Sequence, residues 1–82
     1  MIIKAKGAKD FAIKYIEREI RNGNINIGPI FESERDTSAR IGVSRTVLRE
    51  AYTILEIRGV LQRQHGKPWR VLKSIDECEE HY

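Results

Sequence analysis

Basic and hydroxyl side chains cluster at the start of an amphipathic stretch, residues 44–49. Arg45 and Arg49 are four residues apart and would share one face of a helix. Guanidinium groups can bind O6 and N7 of guanine bidentately. Ser44 and Thr46 stand where a helix would begin, and there hydroxyls and free N–H groups can hold a phosphate. This pattern favours contact with a nucleic acid.

Each of these arginines also has a structural alternative. Arg45 and Arg49 could form a solvated surface pair, with Arg49 bridging to Glu50 or Glu56. Arg35 could reach a phosphate or a base edge, or it could pair with the acidic residue at position 34 or 36. From the residues alone, that pairing of Arg35 is slightly favoured.

A second basic stretch, His65-Gly66-Lys67, has the composition of a hairpin tip. A small basic tip can enter a DNA minor groove, where the potential is negative, and Gly66 allows close approach of the backbone. The alternative is an ordinary turn that needs glycine for its dihedral angles. A metal site at His65 is not indicated, because the other histidine is His81 and no spaced ligand set is present.

The elements that must position these residues begin with a helix predicted over residues 9–22. Gly23 suits its left-handed end, and Gly28-Pro29 predicts a turn with a short extended piece at residues 30–31. The apolar residues at helical spacing are Phe11, Ala12, Tyr15, Ile16 and Ile20.

Two further helices are joined by a tight turn at Gly42. Ser33 is predicted to cap the first of them, which ends near Ile41, and Ser44 is predicted to cap the next, over residues 44–58. Two helices joined in this way form a helix-turn-helix. The second helix carries an apolar stripe of Val47, Leu48, Ala51 and Leu55, whereas Tyr52, Ile54 and Ile57 could complete the core or contact a second copy.

A β-hairpin is predicted after the third helix, with strands at residues 60–64 and 69–72 and a turn at residues 65–68. A two-stranded hairpin is not stable alone in water, so it must pack on the helices, with Leu61 meeting Trp69 or Val71. The predicted fold class is therefore α+β, mainly helical: a winged helix-turn-helix of three helices and a small β-hairpin wing.

Charge is distributed unevenly along the 82 residues, which are enough for one domain. Residues 1–73, the predicted DNA-binding domain, carry 15 basic and 8 acidic side chains, which favours a polyanionic partner or simply aids solubility. Residues 74–82 have four acidic and no basic side chains, and we interpret them as an acidic linker or tail. A single cysteine, Cys78, and the lack of a secretory or membrane-spanning segment predict a cytoplasmic protein without a disulfide within the chain.

Enzymatic function is not predicted. Ser33 and Ser44 lack the paired base that a nucleophile needs, and the acidic residues at 32, 34 and 36 are better explained as partners of a helix dipole. No cofactor is predicted either.

Residues 31–35 and 41–51 resemble the signature of the GntR family of bacterial transcription regulators, and residues 55–56, 59–61 and 64–66 continue it in register. Residues 64–68, with 3–5 and 11–12, look most like the fatty-acid-metabolism subgroup of that family. Three residues depart from the family pattern: Glu32 replaces the usual proline, and Thr37 and Tyr52 stand where leucines are common.

The resemblance implies a transcription regulator, either repressor or activator, that binds a palindromic double-stranded DNA operator as a homodimer. The subgroup's effector, a long-chain acyl-coenzyme A, binds a C-terminal domain that we expect to be absent here. By matching positions, it implies base contacts from Arg35, Arg45 and Arg49, DNA contacts from Ser44 and Thr46, and minor-groove contacts from His65 and Gly66, which Lys67 would assist.

The predicted function is sequence-specific DNA binding for transcription regulation. The helix at residues 44–58 would enter the major groove, and residues 64–68, at the tip of the wing, would enter the minor groove. The alternatives are a winged-helix scaffold that binds another protein, or a redesigned domain that keeps the fold without specific DNA binding.

Overall fold

The computed structural model describes residues 5–74. Their elements, in chain order, are α1 (Ala5–Arg21), β1 (Gly28–Pro29), α2 (Glu34–Ile41), α3 (Arg45–Ile57), β2 (Leu61–Gln62) and β3 (Arg70–Val71). The predicted fold class is confirmed: three helices and a small sheet that includes the wing, residues 61–71. Of the predicted acidic tail, the structure describes only Ser74, so Cys78 and His81 lie outside the described residues. Residues 3–4, on which the resemblance also drew, lie outside them as well.

Helix α1 begins at Ala5, so the predicted start at Lys9 was wrong. Lysine and alanine are good helix formers, and Ala8 is buried, so the helix gains packing by extending in this direction. It packs against α3. Phe11, which the helical spacing assigned to the apolar face, is 38% exposed.

The caps of α2 and α3 are as predicted. Ser33 Oγ accepts a hydrogen bond from the backbone N–H of Asp36 (3.0 Å), and Ser44 Oγ accepts one from that of Val47 (3.0 Å). Between the helices Gly42 adopts φ 90°, a left-handed conformation that favours glycine. These local signals fix the helix-turn-helix geometry.

The sheet has three antiparallel strands in the order β1-β3-β2. Gly28-Pro29 is a strand and not the predicted turn: Gly28 pairs with Val71 and Pro29 with Arg70. Pro29 is tolerated because β1 is an edge strand, where no donor is required on the open side. The third strand stabilises a hairpin whose two strands are shorter than predicted, with Leu61 opposite Val71.

The core lies where α1, α3 and the sheet meet. Fully buried residues include Ile16, Leu48, Leu55, Leu61 and Val71. Of the second apolar set of α3, Tyr52 lies in the core at 1% exposure and Ile54 packs partly against it, whereas Ile57 is 76% exposed and does not complete the core. None of the helices in the described part has the length and apolar content needed to cross a bilayer.

The three residues that depart from the family pattern line the same groove. Thr37 Oγ1 donates to Glu32 Oε1 (2.9 Å), and Arg40 Nη2 donates to the same oxygen (3.0 Å). The hydrogen bond from Arg40 is the main reason that the pKa of Glu32 lies below its ordinary value. Burial raises the pKa of Tyr52 to about 12. A hydrogen-bonded cluster thus accommodates two polar replacements, Glu32 and Thr37, beside the core.

Candidate nucleic-acid interface

The N-terminus of α3 forms an exposed surface with positive character. Ser44, Arg45, Thr46 and Arg49 are all exposed, and the first turn contains no acidic residue. Ser44 Oγ uses a lone pair as the helix cap, so its hydroxyl hydrogen can still be donated to a phosphate. The free N–H groups of this first turn and the helix dipole favour an anion at the same place.

Arg49 is oriented by an ion pair across the helix-turn-helix. Its Nε donates to Glu34 Oε1 at 2.7 Å, while its side chain remains 57% exposed. The alternative partners that the sequence offered for Arg49 were Glu50 and Glu56, and its partner in the structure is instead Glu34 at the start of α2. This bond uses Nε alone, so within the described residues the two terminal nitrogens keep their hydrogens for a ligand.

Glu34 is held in its charged form by its neighbours. Partial burial raises the pKa of the Glu34 carboxyl, but hydrogen bonds from Arg49 and Trp69 and the charges of Arg49 and Arg45 outweigh it. The pKa of Glu34 therefore lies below its ordinary value. A carboxylate at this position offsets part of the positive charge of α3 and directs Arg49.

Arg35 and Arg45 differ from Arg49. Both are exposed, and in the part of the chain that the structure describes neither forms an ion pair within 4.0 Å. The pairing of Arg35 with residue 34 or 36, slightly favoured from the residues alone, is therefore not observed. Both guanidinium groups are open to an external partner.

The tip of the wing, residues 64–68, forms the predicted turn. The backbone N–H of Lys67 donates to the carbonyl of Gln64 (3.0 Å), and Gly66 adopts φ 69°. His65, Gly66 and Lys67 are exposed. Glycine is required by this backbone conformation, and the same residue leaves the tip narrow.

The base of the wing lies beside the exposed face of α3. Trp69 Nε1 donates to Glu34 Oε2 (3.1 Å), the second oxygen of the carboxylate that binds Arg49. Arg63 lies over the Trp69 ring, 4.7 Å from its centroid. Sequence reasoning assigned no site role to Glu34, Arg63 or Trp69. No sequence periodicity could have identified them, since Glu34 and Trp69 are 35 residues apart.

The described residues contain no group of three or more His, Cys, Asp or Glu side chains that could hold a metal ion.

Comparisons with known proteins match this geometry. The family model for bacterial regulatory proteins of the gntR family matches residues 8–71. The fatty acid metabolism regulator protein of Shewanella baltica is 51% identical over 71 residues, which cover 87% of this chain and 30% of that protein. The chain thus spans less than a third of the length of this curated relative.

Solved structures show the same fold. A GntR family transcriptional regulator from Listeria monocytogenes superposes with a TM-score of 0.70 at 23% identity, covering 78% of this chain and 56% of that chain. A crystal structure of mutant ORR3 in complex with the NTD of AraR also gives a TM-score of 0.70. There the identity is 25%, with 78% of this chain and 91% of that chain covered.

Proposed function

The chain belongs to the GntR family of bacterial regulatory proteins, and we propose that it recognises double-stranded DNA with α3 in the major groove and the tip of the wing in the minor groove. DNA binding for transcription regulation follows from the family itself, whose members are regulators and not enzymes. The groove assignments and the individual contacts are our proposal.

The exposed face of α3 supports the major-groove assignment. Arg45 and Arg49 lie one helical turn apart, and both guanidinium groups have donors available for guanine O6 and N7. Ser44 and Thr46 flank them at the helix start, where phosphate contacts would fix the register of the helix on the duplex. Arg35, exposed at the start of α2, would add a contact from the neighbouring helix.

The carboxylate of Glu34, which both α3 and the wing bind, is the observation that most strongly supports contact of both elements with one duplex. Arg49 on α3 and Trp69 at the base of the wing bind its two oxygens at 2.7 and 3.1 Å. The proposed major-groove surface and the wing are therefore adjacent. His65, Gly66 and Lys67 could enter the minor groove next to the bases that α3 contacts.

We further propose that two copies bind a palindromic operator, because a single domain of this size buries only about 600–1,000 Å² on DNA and binds weakly alone. Such binding would take place in the bacterial cytoplasm and would need no cofactor. Acyl-coenzyme A, the effector implied for the fatty-acid subgroup, is assigned to a further domain.

Selection of bound duplexes from a random pool tests the proposal. The expected result is a short enriched sequence, with two symmetric half-sites if two copies cooperate. Affinity for that sequence should fall steeply between low and physiological salt, because each phosphate contact releases a counterion. A pool that yields no enriched sequence, with affinity that does not depend on salt, would contradict DNA recognition and indicate a protein partner.

A further inference from the structure

Trp69 joins three parts of the molecule at the base of the wing. Its indole Nε1–H donates to Glu34 on α2 (3.1 Å), and its ring packs against that of Tyr52 on α3, with 5.2 Å between centroids at 58°. The Arg63 guanidinium also lies over the indole, 4.7 Å from the ring centroid, within the range of a cation–π contact. Trp69 precedes β3 and Arg63 follows β2, so both sides of the wing meet at this indole.

These contacts form a closed ring that begins and ends at Arg49. The Arg49 guanidinium binds Glu34, Glu34 binds Trp69, and Trp69 stacks with Arg63. Arg63 Nη2 then donates to Thr53 Oγ1 (3.3 Å), and Thr53 Oγ1 donates to the Arg49 carbonyl (2.9 Å). A change at any member therefore alters the surroundings of Arg49.

The strands of the wing are too short to fix its direction by themselves. Only two residue pairs connect β2 and β3, and the tip extends beyond them. Side-chain contacts at the base, together with the pairing of β3 with β1 and the bond from the Ile30 N–H to the Trp69 carbonyl (2.8 Å), therefore set the angle between the wing and α3. That angle decides whether the tip and Arg49 can contact the same duplex at once, and an angle fixed before binding lowers the entropic cost of docking.

We propose that Trp69 is a positioning residue for DNA recognition, which holds the tip of the wing and Arg49 in one fixed relation without itself contacting a base. This inference rests on the proposed function. It adds a determinant that lies outside the DNA-contacting residues, and it attributes minor-groove selectivity to a partly buried hydrogen bond at the base of the wing.

The test compares the unmodified chain with Trp69→Phe on duplexes altered in one groove. Phenylalanine keeps an aromatic ring for Tyr52 and Arg63 to contact but cannot donate to Glu34. Inosine in place of guanine removes a minor-groove amino group and leaves the major-groove edge unchanged, whereas 7-deazaguanine removes the major-groove N7 acceptor. Each replacement is placed at the guanines of the selected operator, and thermal melting of both proteins is recorded in parallel.

For the unmodified chain, we expect both kinds of replacement to change affinity. Trp69→Phe should bind the operator about tenfold more weakly, the effect of losing one hydrogen bond to a charged group. It should also lose its response to inosine while keeping its response to 7-deazaguanine. A purely structural role would weaken binding to all duplexes by the same factor. A Trp69→Phe protein that responds to inosine as the unmodified chain does would overturn the proposal.

A matched control and a second readout keep the outcome decisive. Leu72→Ala alters an exposed residue just after β3 and should respond to both replacements like the unmodified chain.

Since Trp69 is the single tryptophan, the unmodified chain gives one indole N–H signal in NMR. That proton should exchange slowly with solvent, free and DNA-bound, and rapid exchange in the complex would overturn the proposal even if Trp69→Phe failed to fold. An unmodified chain that selects no duplex would instead contradict the proposed function.

Discussion

Glu34 and Arg49 form a 2.7 Å ion pair between two helices, although fifteen residues separate them in the chain. The pair holds a proposed base-contacting guanidinium in one orientation while leaving its side chain more than half exposed. The same carboxylate binds the wing through Trp69. The start of α2 therefore supports the exposed face of α3 in addition to its role in the helix-turn-helix.

Acid should destabilise the fold through Glu34 and Glu32. Both carboxyls have a pKa below the ordinary value of 4.5 in the folded chain. The unfolded chain then binds more protons, so their stabilising contribution is present above about pH 4.5 and is lost as the pH falls through the folded values. We expect a lower melting temperature at about pH 3 than at about pH 6, and Glu34→Gln should reduce this difference. An equal difference in that variant would show that Glu34 is not linked to folding.

Replacing Tyr52 by phenylalanine should leave stability unchanged or raise it by about 1 kcal/mol. The Tyr52 hydroxyl is buried and forms no hydrogen bond of good geometry among the described residues. Its interaction with the Thr37 hydroxyl, which lowers the pKa of Tyr52 against the larger effect of burial, is therefore a weak one, and a poorly satisfied buried hydroxyl costs free energy. Denaturant unfolding measures the difference. Tyr52→Leu is the control, because it also removes the ring that packs on Trp69 and should destabilise the fold. A loss of more than about 1 kcal/mol in Tyr52→Phe would mean that the hydroxyl is bonded.

Ser33 and Ser44 provide a matched pair of helix caps. Each accepts one backbone hydrogen bond of 3.0 Å, so replacement of either by alanine should cost about 1 kcal/mol of stability. Ser44 alone lies on the proposed DNA surface, and only Ser44→Ala should also weaken operator binding at a temperature where both variants remain folded. Equal affinities of the two variants in a titration would remove Ser44 from the interface.

Local sequence signals predicted the parts of this structure that depend on nearby residues. Ser33, Gly42 and Ser44 fix their helix ends through bonds to residues three or four positions away, so the helix-turn-helix could be located from the sequence. Strand β1 could not, because Gly28-Pro29 has the composition of a turn and becomes a strand only through pairing with Arg70 and Val71.

The contacts within the candidate site were less predictable than its residues. The sequence predicted the exposed residues of the site. Arg45 and Arg49 lie opposite the apolar stripe of α3, and the tip of the wing is a turn. The bonds of Glu34 to Arg49 and Trp69 join three elements, and their partners depend on how those elements pack. The hydrogen bond between Glu32 and Thr37 was also not predictable, since it depends on where α2 places the Thr37 hydroxyl.

Arg45 provides the most direct test of the central claim, because it is exposed and forms no ion pair in the part of the chain that the structure describes. The measurement is a titration of the selected operator and a scrambled duplex with the unmodified chain and with Arg45→Ala. We predict an unchanged melting curve and a preference for the operator reduced by about 10- to 100-fold, the effect of losing one bidentate guanine contact. Undiminished preference in a folded Arg45→Ala protein would contradict recognition through α3.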